Sequence, residues 1–307
     1  MNTIEKVCHW HKLGASMRLQ ALGWARTRLV LSSLWVFSMT LCSLAQAAEP
    51  AAERNLRLPF RTVKDVEFAR VNDVPLLTDI VSPDDDQVHP GVVMIHGGAW
   101  TSGDKWNMSD HARELAQAGY VAININYRLA PRSKYPSQLD DCRAALKWLQ
   151  GVAEQYHVDL NHLAVYGYSA GGQLAAMLAT DQQAGLPKIR AAVIGGAPCD
   201  LSFIPEESPA IAHVLGGTRK QIPGVYRDAS PVNFASSDDC PMFFFHGDCD
   251  LIVPTNASKA LCDKLNDLGV ETCYYTVEKQ GHLLTFIHPA ARQAAIEFLN
   301  KHLRQGP

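Results

Sequence analysis

The chain has 307 residues, of which 47% are hydrophobic and 19% charged, a composition typical of a globular protein with a substantial core. The formal net charge at pH 7 is −3, and no basic stripe interrupts the chain. Nucleic acid is therefore not expected as a partner. The length fits one large α/β domain as well as two smaller ones.

The N-terminal region has the layout of a secretory signal peptide. Arginines precede an uncharged stretch from Leu29 to Ala48, which closes with the small-residue pattern Ala-Gln-Ala. We therefore expect residues 1–48 to be a signal peptide cleaved near Ala47 or Ala48, and residues 49–61 to be a flexible lead-in. Cleavage predicts a secreted or periplasmic protein without stable membrane insertion. The alternative is an uncleaved anchor, because the stretch is nearly long enough to span a bilayer.

From residue 62 onward, short apolar runs alternate with segments whose apolar residues recur at helical spacing. The predicted strands are Thr62–Val71, Leu76–Val81, Val92–Ile95, Tyr120–Asn126, Leu163–Tyr166, Ile189–Ile194, Met242–Phe245 and Thr272–Val277. The predicted helices are Ser109–Ala118, Ser137–His157, Ala170–Thr180, Asn256–Leu268 and Pro289–Leu303. This alternation predicts a mainly parallel sheet with helices on both faces, in one domain over residues 62–304.

The pattern loosens between Cys199 and Cys240, where several prolines interrupt it. This stretch is either a small lid over the sheet or a plain surface connection. In parallel α/β sheets, ligands bind beyond the carboxyl ends of the strands. The motifs that carry chemistry all follow directly after predicted strands, which places them at that edge.

Residues 167–171 read Gly-Tyr-Ser-Ala-Gly between a predicted strand and a helix of small residues. A serine becomes a strong nucleophile only when a base takes its proton, and it must also be exposed. A sharp strand-to-helix turn exposes it, and glycines two positions away on either side leave room for that turn. The pattern predicts Ser169 as a nucleophile.

A second motif, His96-Gly97-Gly98-Ala99-Trp100, follows the strand Val92–Ile95. Attack on an ester puts negative charge on the carbonyl oxygen, and a backbone N–H aimed at that oxygen lowers the barrier by about 3–4 kcal/mol. The expected donors of this oxyanion hole are the N–H groups of Gly98, Ala99 and Ala170. A tight structural turn is the alternative role for the two glycines.

An acid and a base follow the last two strands. Asp250 is the expected acid, with Asp248 as the reserve, because a carboxylate there can orient a histidine. His282 is the expected general base, with His288 as the reserve, since imidazole exchanges protons near neutral pH. The chain order Ser169, Asp250, His282 is the order that α/β-hydrolases use.

From about residue 62 to 304 the chain resembles the α/β-hydrolase superfamily. It is most similar to the carboxylesterase-like branch, feruloyl-esterase-like or BD-FAE-like, that carries HGGxW in place of the HGGG of lipases. The run Tyr-Arg-Leu-Ala-Pro at Tyr127–Pro131 is also typical of that branch. The resemblance implies a mostly parallel eight-stranded sheet with at most a small lid. Ala99 departs from HGGG, which makes its role as a donor the least secure.

The interpretation is a serine carboxylesterase acting on a small-molecule ester through an acyl-serine intermediate, with no cofactor and no metal. An arylformamidase or amidase would use the same residues. A serine peptidase of this fold usually carries an extra large domain, for which the chain has no room. A non-catalytic binding protein would generally lack one of the three residues.

Other residues leave more than one role open. Trp100 and Tyr168 are candidates for substrate binding, as is Trp106, although core packing is the more frequent role of aromatic side chains. Six cysteines follow the predicted signal peptide, and export would allow disulfides, but small buried side chains are an equally good reading. The oligomeric state is not predicted.

Overall fold

The computed structural model describes residues 57–304, and the predicted signal peptide lies outside the described residues. Within this range, one sheet contains eight strands: β1 (Phe60–Val71), β2 (Val74–Pro83), β3 (His89–Ile95), β4 (Val121–Ile125), β5 (Val158–Tyr168), β6 (Ile189–Gly195), β7 (Met242–Gly247) and β8 (Thr272–Val277). Their order is β1-β2-β4-β3-β5-β6-β7-β8. Strand β2 is antiparallel to both of its neighbours, and all other pairs are parallel. The predicted mostly parallel sheet is confirmed.

The described helices are α1 (Ser109–Gln117), α2 (Ser137–Val152), α3 (Ala170–Thr180), α4 (Pro209–Leu215), α5 (Pro223–Asp228), α6 (Thr255–Asp267), α7 (His282–Phe286) and α8 (Pro289–Leu303). Helices α2, α3 and α6 bury their apolar side chains on one face of the sheet. Helices α1 and α8 cover the other face. The sheet is thus covered on both sides, as the alternation of strands and helices predicts.

Local sequence explains the main elements. The β1–β2 hairpin turns at Asn72 and Asp73, whose φ angles of 48° and 63° lie in the left-handed region that these residues tolerate best. The central strands β3 and β4 are nearly continuous apolar runs because helices cover both faces of the sheet.

Several elements differ from the sequence-based expectation, and strands β3 and β5 begin earlier than predicted. Helix α2 ends at Val152 and not at His157. The apolar spacing continues after the helix because Tyr156 packs against Trp148, with ring centroids 5.9 Å apart. His282 begins the short helix α7, where a loop was expected. Helix α7 shows no buried stripe in the sequence because Leu283, Leu284 and Ile287 are exposed.

The segment between Cys199 and Cys240 contains α4, α5 and two 3₁₀ turns, Leu201–Phe203 and Pro231–Asn233. It is tied to the domain by backbone contacts. The side chain of Gln173 on α3 donates to the carbonyl of Ala229, and the amide of Tyr135 donates to the carbonyl of Val214. The segment therefore packs on the α3 side of the sheet.

None of the helices between residues 57 and 304 combines the length and the apolar character that crossing a bilayer requires. Among the described cysteines, Cys142, Cys199, Cys240 and Cys262 are free thiols in the interior, and Cys249 is free and exposed. Cys273 is buried in β8.

Candidate active site

Ser169 occupies a sharp turn between β5 and α3. Its φ of 55° and ψ of −121° are unusual for a residue with a side chain, and its amide donates to the carbonyl of Gly195 at 2.8 Å. A Cβ atom at Gly167 would lie 2.0 Å from the carbonyl oxygen of Gly171, and one at Gly171 would lie 2.1 Å from that of Ile95. The flanking glycines are therefore required by the turn that presents the Ser169 hydroxyl.

The loop after β3 lies directly against this turn. A Cβ atom at Gly97 would lie 3.0 Å from the carbonyl oxygen of Tyr168 and 3.3 Å from Cβ of Ser169. Gly98 and Ala99 both have positive φ, 118° and 52°. The carbonyl of Gly98 accepts hydrogen bonds from Thr101 and Ser102, whereas the N–H groups of Gly98 and Ala99 donate to no acceptor within the described residues. These two donors are free to bind an anion.

His96 and Trp100 hold the loop after β3 through contacts with the domain interior. The ring of His96 stacks on Tyr127 with centroids 4.3 Å apart, and its Nδ1 donates to the carbonyl of Gly97. Burial lowers the pKa of His96, which keeps the ring neutral. Trp100 is buried, and its Nε1 donates to Oε1 of Gln173 at 3.1 Å. Trp100 does not line the cleft beside Ser169, so the prediction that it contacts substrate needs correction: its indole packs in the core.

Asp250 lies in the loop after β7 (residues 248–254, the acid loop), with its side chain fully buried. Its Oδ1 accepts from the amides of Ile252 and Val253, each at 2.9 Å. Its Oδ2 lies 2.6 Å from Nδ1 of His282 and 3.1 Å from Nε2 of His246. Desolvation opposes ionisation, but the bonds from His246, His282 and Val253 outweigh it and hold the pKa of Asp250 well below its usual range. A charged carboxylate thus faces the His282 ring.

Both ends of helix α7 are held by side chains from the core. The hydroxyl of Tyr168 donates to the carbonyl of His282 at the start of the helix. Nε2 of His111 donates to the carbonyl of Phe286, the last residue of α7, at 3.1 Å. Burial lowers the pKa of His111 to about 3, so this ring stays neutral in the physiological range. The position of the His282 backbone is therefore fixed from two sides.

Ser169 and His282 open into one cleft of about 710 Å³. The other residues that line it belong to the loop after β3, the turn before α1, the end of β5, the acid loop and α7: Gly97, Gly98, Ala99, Ser102, Gly103, Asp104, Trp106, Asn107, Tyr168, Ile252, Leu283 and Phe286. No lysine or arginine is among the described lining residues. Asp104 carries the one carboxylate in this described lining, and most of the remaining wall is apolar.

The structure brings most of the predicted site residues to one edge of the sheet. Ser169, His282, Gly98, Ala99 and Tyr168 line the cleft, Asp250 lies behind His282, and Ala170 starts α3 beside Ser169. In the described chain the Ser169 hydroxyl makes no hydrogen bond to the His282 ring, a contact that is often long in ligand-free enzymes.

The two reserve residues lie elsewhere. Asp248 is exposed, and its amide donates to the carbonyl of Val277. His288 caps the N-terminus of α8, where its Nδ1 accepts from the amide of Ala291. Neither side chain lines the cleft.

Sequence reasoning missed His246, which is buried and lies 3.1 Å from Asp250. Trp106, a candidate for substrate binding in the sequence, lines the cleft and is 66% exposed. The one signal for His246 was its place at the end of β7, beside the acid loop. Within residues 57–304, no three His, Cys, Asp or Glu side chains are grouped so that they could hold a metal ion.

Comparison with known proteins places this geometry in a family. The chain is similar to the esterase LipQ of Mycobacterium tuberculosis, with 28% identity over 208 residues, which cover 63% of this chain and 49% of LipQ. It is also similar to arylacetamide deacetylase of Bos taurus, with 35% identity over 147 residues that cover 46% of this chain and 35% of that enzyme. The chain thus spans about half the length, or less, of these curated relatives.

The fold is shared with solved esterase structures. A carbohydrate esterase from gut microbiota, in a truncated form, aligns with a TM-score of 0.70 at 20% identity, covering 80% of this chain and 97% of that one. The family model of BD-FAE matches residues 78–265, which include the loop after β3, the Ser169 turn and the acid loop. On this match, which covers more than half of the sequence, the chain belongs to the BD-FAE family.

Proposed function

We propose that this protein is a carboxylic ester hydrolase in which Ser169 is the nucleophile, His282 the general base and Asp250 the residue that orients His282. The observation that carries the proposal is the pairing of a strained, cleft-facing serine with a histidine whose Nδ1 lies 2.6 Å from a buried carboxylate. The named esterases among the relatives support the same reaction class.

The reaction has two steps. Ser169 Oγ attacks the ester carbonyl while Nε2 of His282 takes the hydroxyl proton, and the N–H groups of Gly98, Ala99 and Ala170 stabilise the oxyanion. His282 then returns the proton to the leaving alcohol, which leaves an acyl group on Ser169. In the second step His282 takes a proton from water as the water oxygen attacks the acyl carbonyl. His282 then returns that proton to Oγ of Ser169 as the bond between Oγ and the acyl carbon breaks, which releases the carboxylic acid and regenerates the enzyme.

The cleft favours an uncharged ester with an apolar or aromatic part. Trp106, Ile252, Leu283 and Phe286 give the cleft that contains Ser169 an apolar lining. Tyr168 also lines the cleft, and its hydroxyl donates to the carbonyl of His282. Burying an ionised substrate group against such walls is costly without a partner charge.

The predicted signal peptide supports a further part of the proposal, that the enzyme acts after export, in the periplasm or outside the cell. Mass spectrometry of the mature N-terminus tests this. A new N-terminus near Ala48 or Glu49 is expected, and recovery of the intact N-terminus on mature protein would contradict it.

The nucleophile is tested by covalent labelling with a fluorophosphonate probe. We expect the wild-type chain to be labelled and Ser169→Ala to be unlabelled, with ester turnover reduced by several orders of magnitude. Ser237→Ala is the matched control, because Ser237 is exposed, does not line the cleft and should leave labelling intact. Labelling that survives Ser169→Ala would refute Ser169 as the nucleophile.

The reaction class is tested by a substrate panel. We expect p-nitrophenyl acetate and butyrate to be hydrolysed with higher kcat/KM than N-formylkynurenine and acetanilide. Predominant turnover of the formamide or the anilide would replace the esterase assignment by an amidase one. Tight binding of ester with no turnover would instead indicate a binding protein on a hydrolase scaffold.

A further inference from the structure

Asp250 is surrounded by four nitrogen atoms. The amides of Ile252 and Val253 donate to Oδ1, and Nδ1 of His282 lies 2.6 Å from Oδ2. Nε2 of His246 also lies 3.1 Å from Oδ2, while its hydrogen bond goes to the carbonyl of Val253. Three of the partners belong to the acid loop or to the proposed general base. His246 is the fourth, and the proposed reaction gives it no role.

The surroundings of His246 fix where its protons lie. Its Nε2 faces Oδ2 of Asp250 at 3.1 Å and the carbonyl oxygen of Val253 at 3.1 Å, and both oxygens can only accept. Nε2 must therefore carry a proton. On the other side of the ring, Nδ1 lies 2.7 Å from the hydroxyl of Ser258 on α6. That hydroxyl lies in turn 3.0 Å from the phenol oxygen of Tyr274 on β8.

We propose that His246 is a positioning residue for Asp250, which holds the carboxylate in the orientation that His282 requires and touches no substrate itself. This proposal rests on the function proposed above. His246 is 1% exposed and does not line the cleft, so it acts only through Asp250. The charged or titratable groups around it are Asp250 in the acid loop, His282 on α7, and Tyr274 on β8, reached through Ser258.

The geometry explains why a second histidine is useful here. Oδ2 is the oxygen that accepts the His282 hydrogen bond, and a carboxylate held only through Oδ1 could rotate about its Cβ–Cγ bond. The Nε2–H of His246 donates to the carbonyl of Val253, and the same nitrogen lies 3.1 Å from Oδ2 of Asp250, so the ring holds the loop and opposes that rotation. Because β7 lies between β6 and β8, the donor is carried by a strand that is paired on both edges.

Two substitutions separate this role from packing. His246→Gln keeps an amide N–H near the place of Nε2, whereas His246→Leu removes the donor. We expect kcat of His246→Leu to fall about tenfold, the factor for losing one hydrogen bond to a charged group, with KM unchanged. His246→Gln should recover most of kcat. Phe244→Leu, a core change on the same strand, is the packing control and should lower the melting temperature without lowering kcat.

A double-mutant cycle tests whether His246 acts through Asp250. In an Asp250→Ala background, His246→Leu should cost no further activity, because the group it positions is absent. The proposal would be overturned if the fold-loss of kcat in the double mutant equalled the product of the two single losses. A kcat of His246→Leu within twofold of the wild type would overturn it as well. Equal losses in the Gln and Leu variants would reduce His246 to a packing residue.

One measurement does not depend on turnover. In ¹⁵N-labelled protein at neutral pH, histidine side-chain spectra should show His246 Nε2 with an attached proton in the wild type. An unprotonated Nε2 would overturn the proposal even if the esterase assignment stands. Conversely, if Nε2 is protonated but the protein does not hydrolyse esters, the contact of His246 is supported and only the proposed function is refuted.

Discussion

At the scale of single residues, Asp250 shows how a buried charge is held in place. Its side chain has no exposed surface, and desolvation alone would favour the neutral form. The two amides of its own loop and the two histidines offset that cost, so that the carboxylate stays ionised beside His282. Its charge is a property of the folded arrangement and contributes to the stability of the fold.

The direction of the pKa change sets a pH dependence for Asp250→Asn. The folded-state pKa lies below the unfolded value of about 3.9, so ionised Asp250 stabilises the fold above about pH 4 and this contribution is lost as pH falls further. We expect the variant to be less stable than the wild type at pH 7, with the difference shrinking below about pH 4. Urea unfolding at pH 7, 5 and 3 measures it.

Asp248→Asn is the control for that series, because Asp248 is exposed and lies two residues away on the same loop. It should change the free energy of unfolding little at any of the three pH values. A difference between the wild type and Asp250→Asn that stays constant from pH 7 to pH 3 would contradict the expectation.

The sequence predicts some of these residues well and others poorly. Ser169 stands in a motif whose glycines are needed by a local turn, so neighbouring residues reveal it. His282 could be found by its order in the chain. The contact of His246 with Asp250 depends on how the acid loop folds back over β7, and the core position of Trp100 depends on Gln173 one turn after Ser169. Neither contact has a signature in local sequence.

At the scale of elements, the loop after β3 is the most constrained by its backbone. Gly98 has a φ of 118°, and a Cβ atom there would lie 2.1 Å from the carbonyl oxygen of Ser102. Ser102 belongs to the same tight turn, in which the amides of Thr101 and Ser102 donate to the carbonyl of Gly98. A side chain at Gly98 would therefore displace the N–H groups of Gly98 and Ala99.

We expect Gly98→Ala to lower kcat by about 10² to 10³, the cost of losing an oxyanion donor, while fluorophosphonate labelling of Ser169 slows and the fold is retained. Gly151→Ala is the matched control: its Cβ atom would meet nothing within 4 Å, and alanine favours its helix. Steady-state kinetics with circular dichroism on both variants tests this. Near-normal kcat in Gly98→Ala would exclude the loop as the oxyanion hole.

The bounds of an element are predicted best where its buried side chains recur with a clear period. Strand β8 and helix α8 have the predicted bounds, because burial gives each a clear period. Helix α7 has five residues and exposes Leu283 and Leu284, so no period marks it. The end of α2 was missed because Tyr156 continues the apolar spacing after the helix has stopped.

At the scale of the whole molecule, the sheet brings distant segments to one edge. The loops after β3, β5, β7 and β8 all contribute to the cleft or to the residue behind it. The strand order explains this, since β3, β5, β6, β7 and β8 are adjacent and parallel. The alternation of strands and helices was sufficient to predict that edge. The substrate was not predictable, because it depends on side chains of separate loops.

The charges around the cleft predict a preference among esters. Asp104 is the carboxylate in the described lining, and no lysine or arginine accompanies it there. Although desolvation acts against it, hydrogen bonds from the Trp106 amide and Asn126 lower the pKa of Asp104 and keep it ionised. We expect kcat/KM for p-nitrophenyl butyrate to exceed that for mono-p-nitrophenyl succinate, which has the same chain length, by about tenfold or more.

Asp104→Asn should reduce the difference between the two esters by raising kcat/KM for the succinate ester. The fold should be retained, since asparagine can keep the turn that Asp104 caps. Added salt should reduce the difference between the esters as well. Equal kcat/KM for the two esters in the wild type would show that the cleft does not select by charge.

The hydrogen bond from the hydroxyl of Tyr168 to the backbone of His282 joins neighbours of the two reacting groups. Tyr168 precedes Ser169 by one residue, so a displacement of the Ser169 turn also displaces helix α7. The distance between Ser169 and His282 therefore changes little. On heating, the distance between Ser169 and His282 should then stay constant until the central strands unfold. The thermal midpoint for loss of turnover should consequently coincide with that for loss of the near-ultraviolet spectrum.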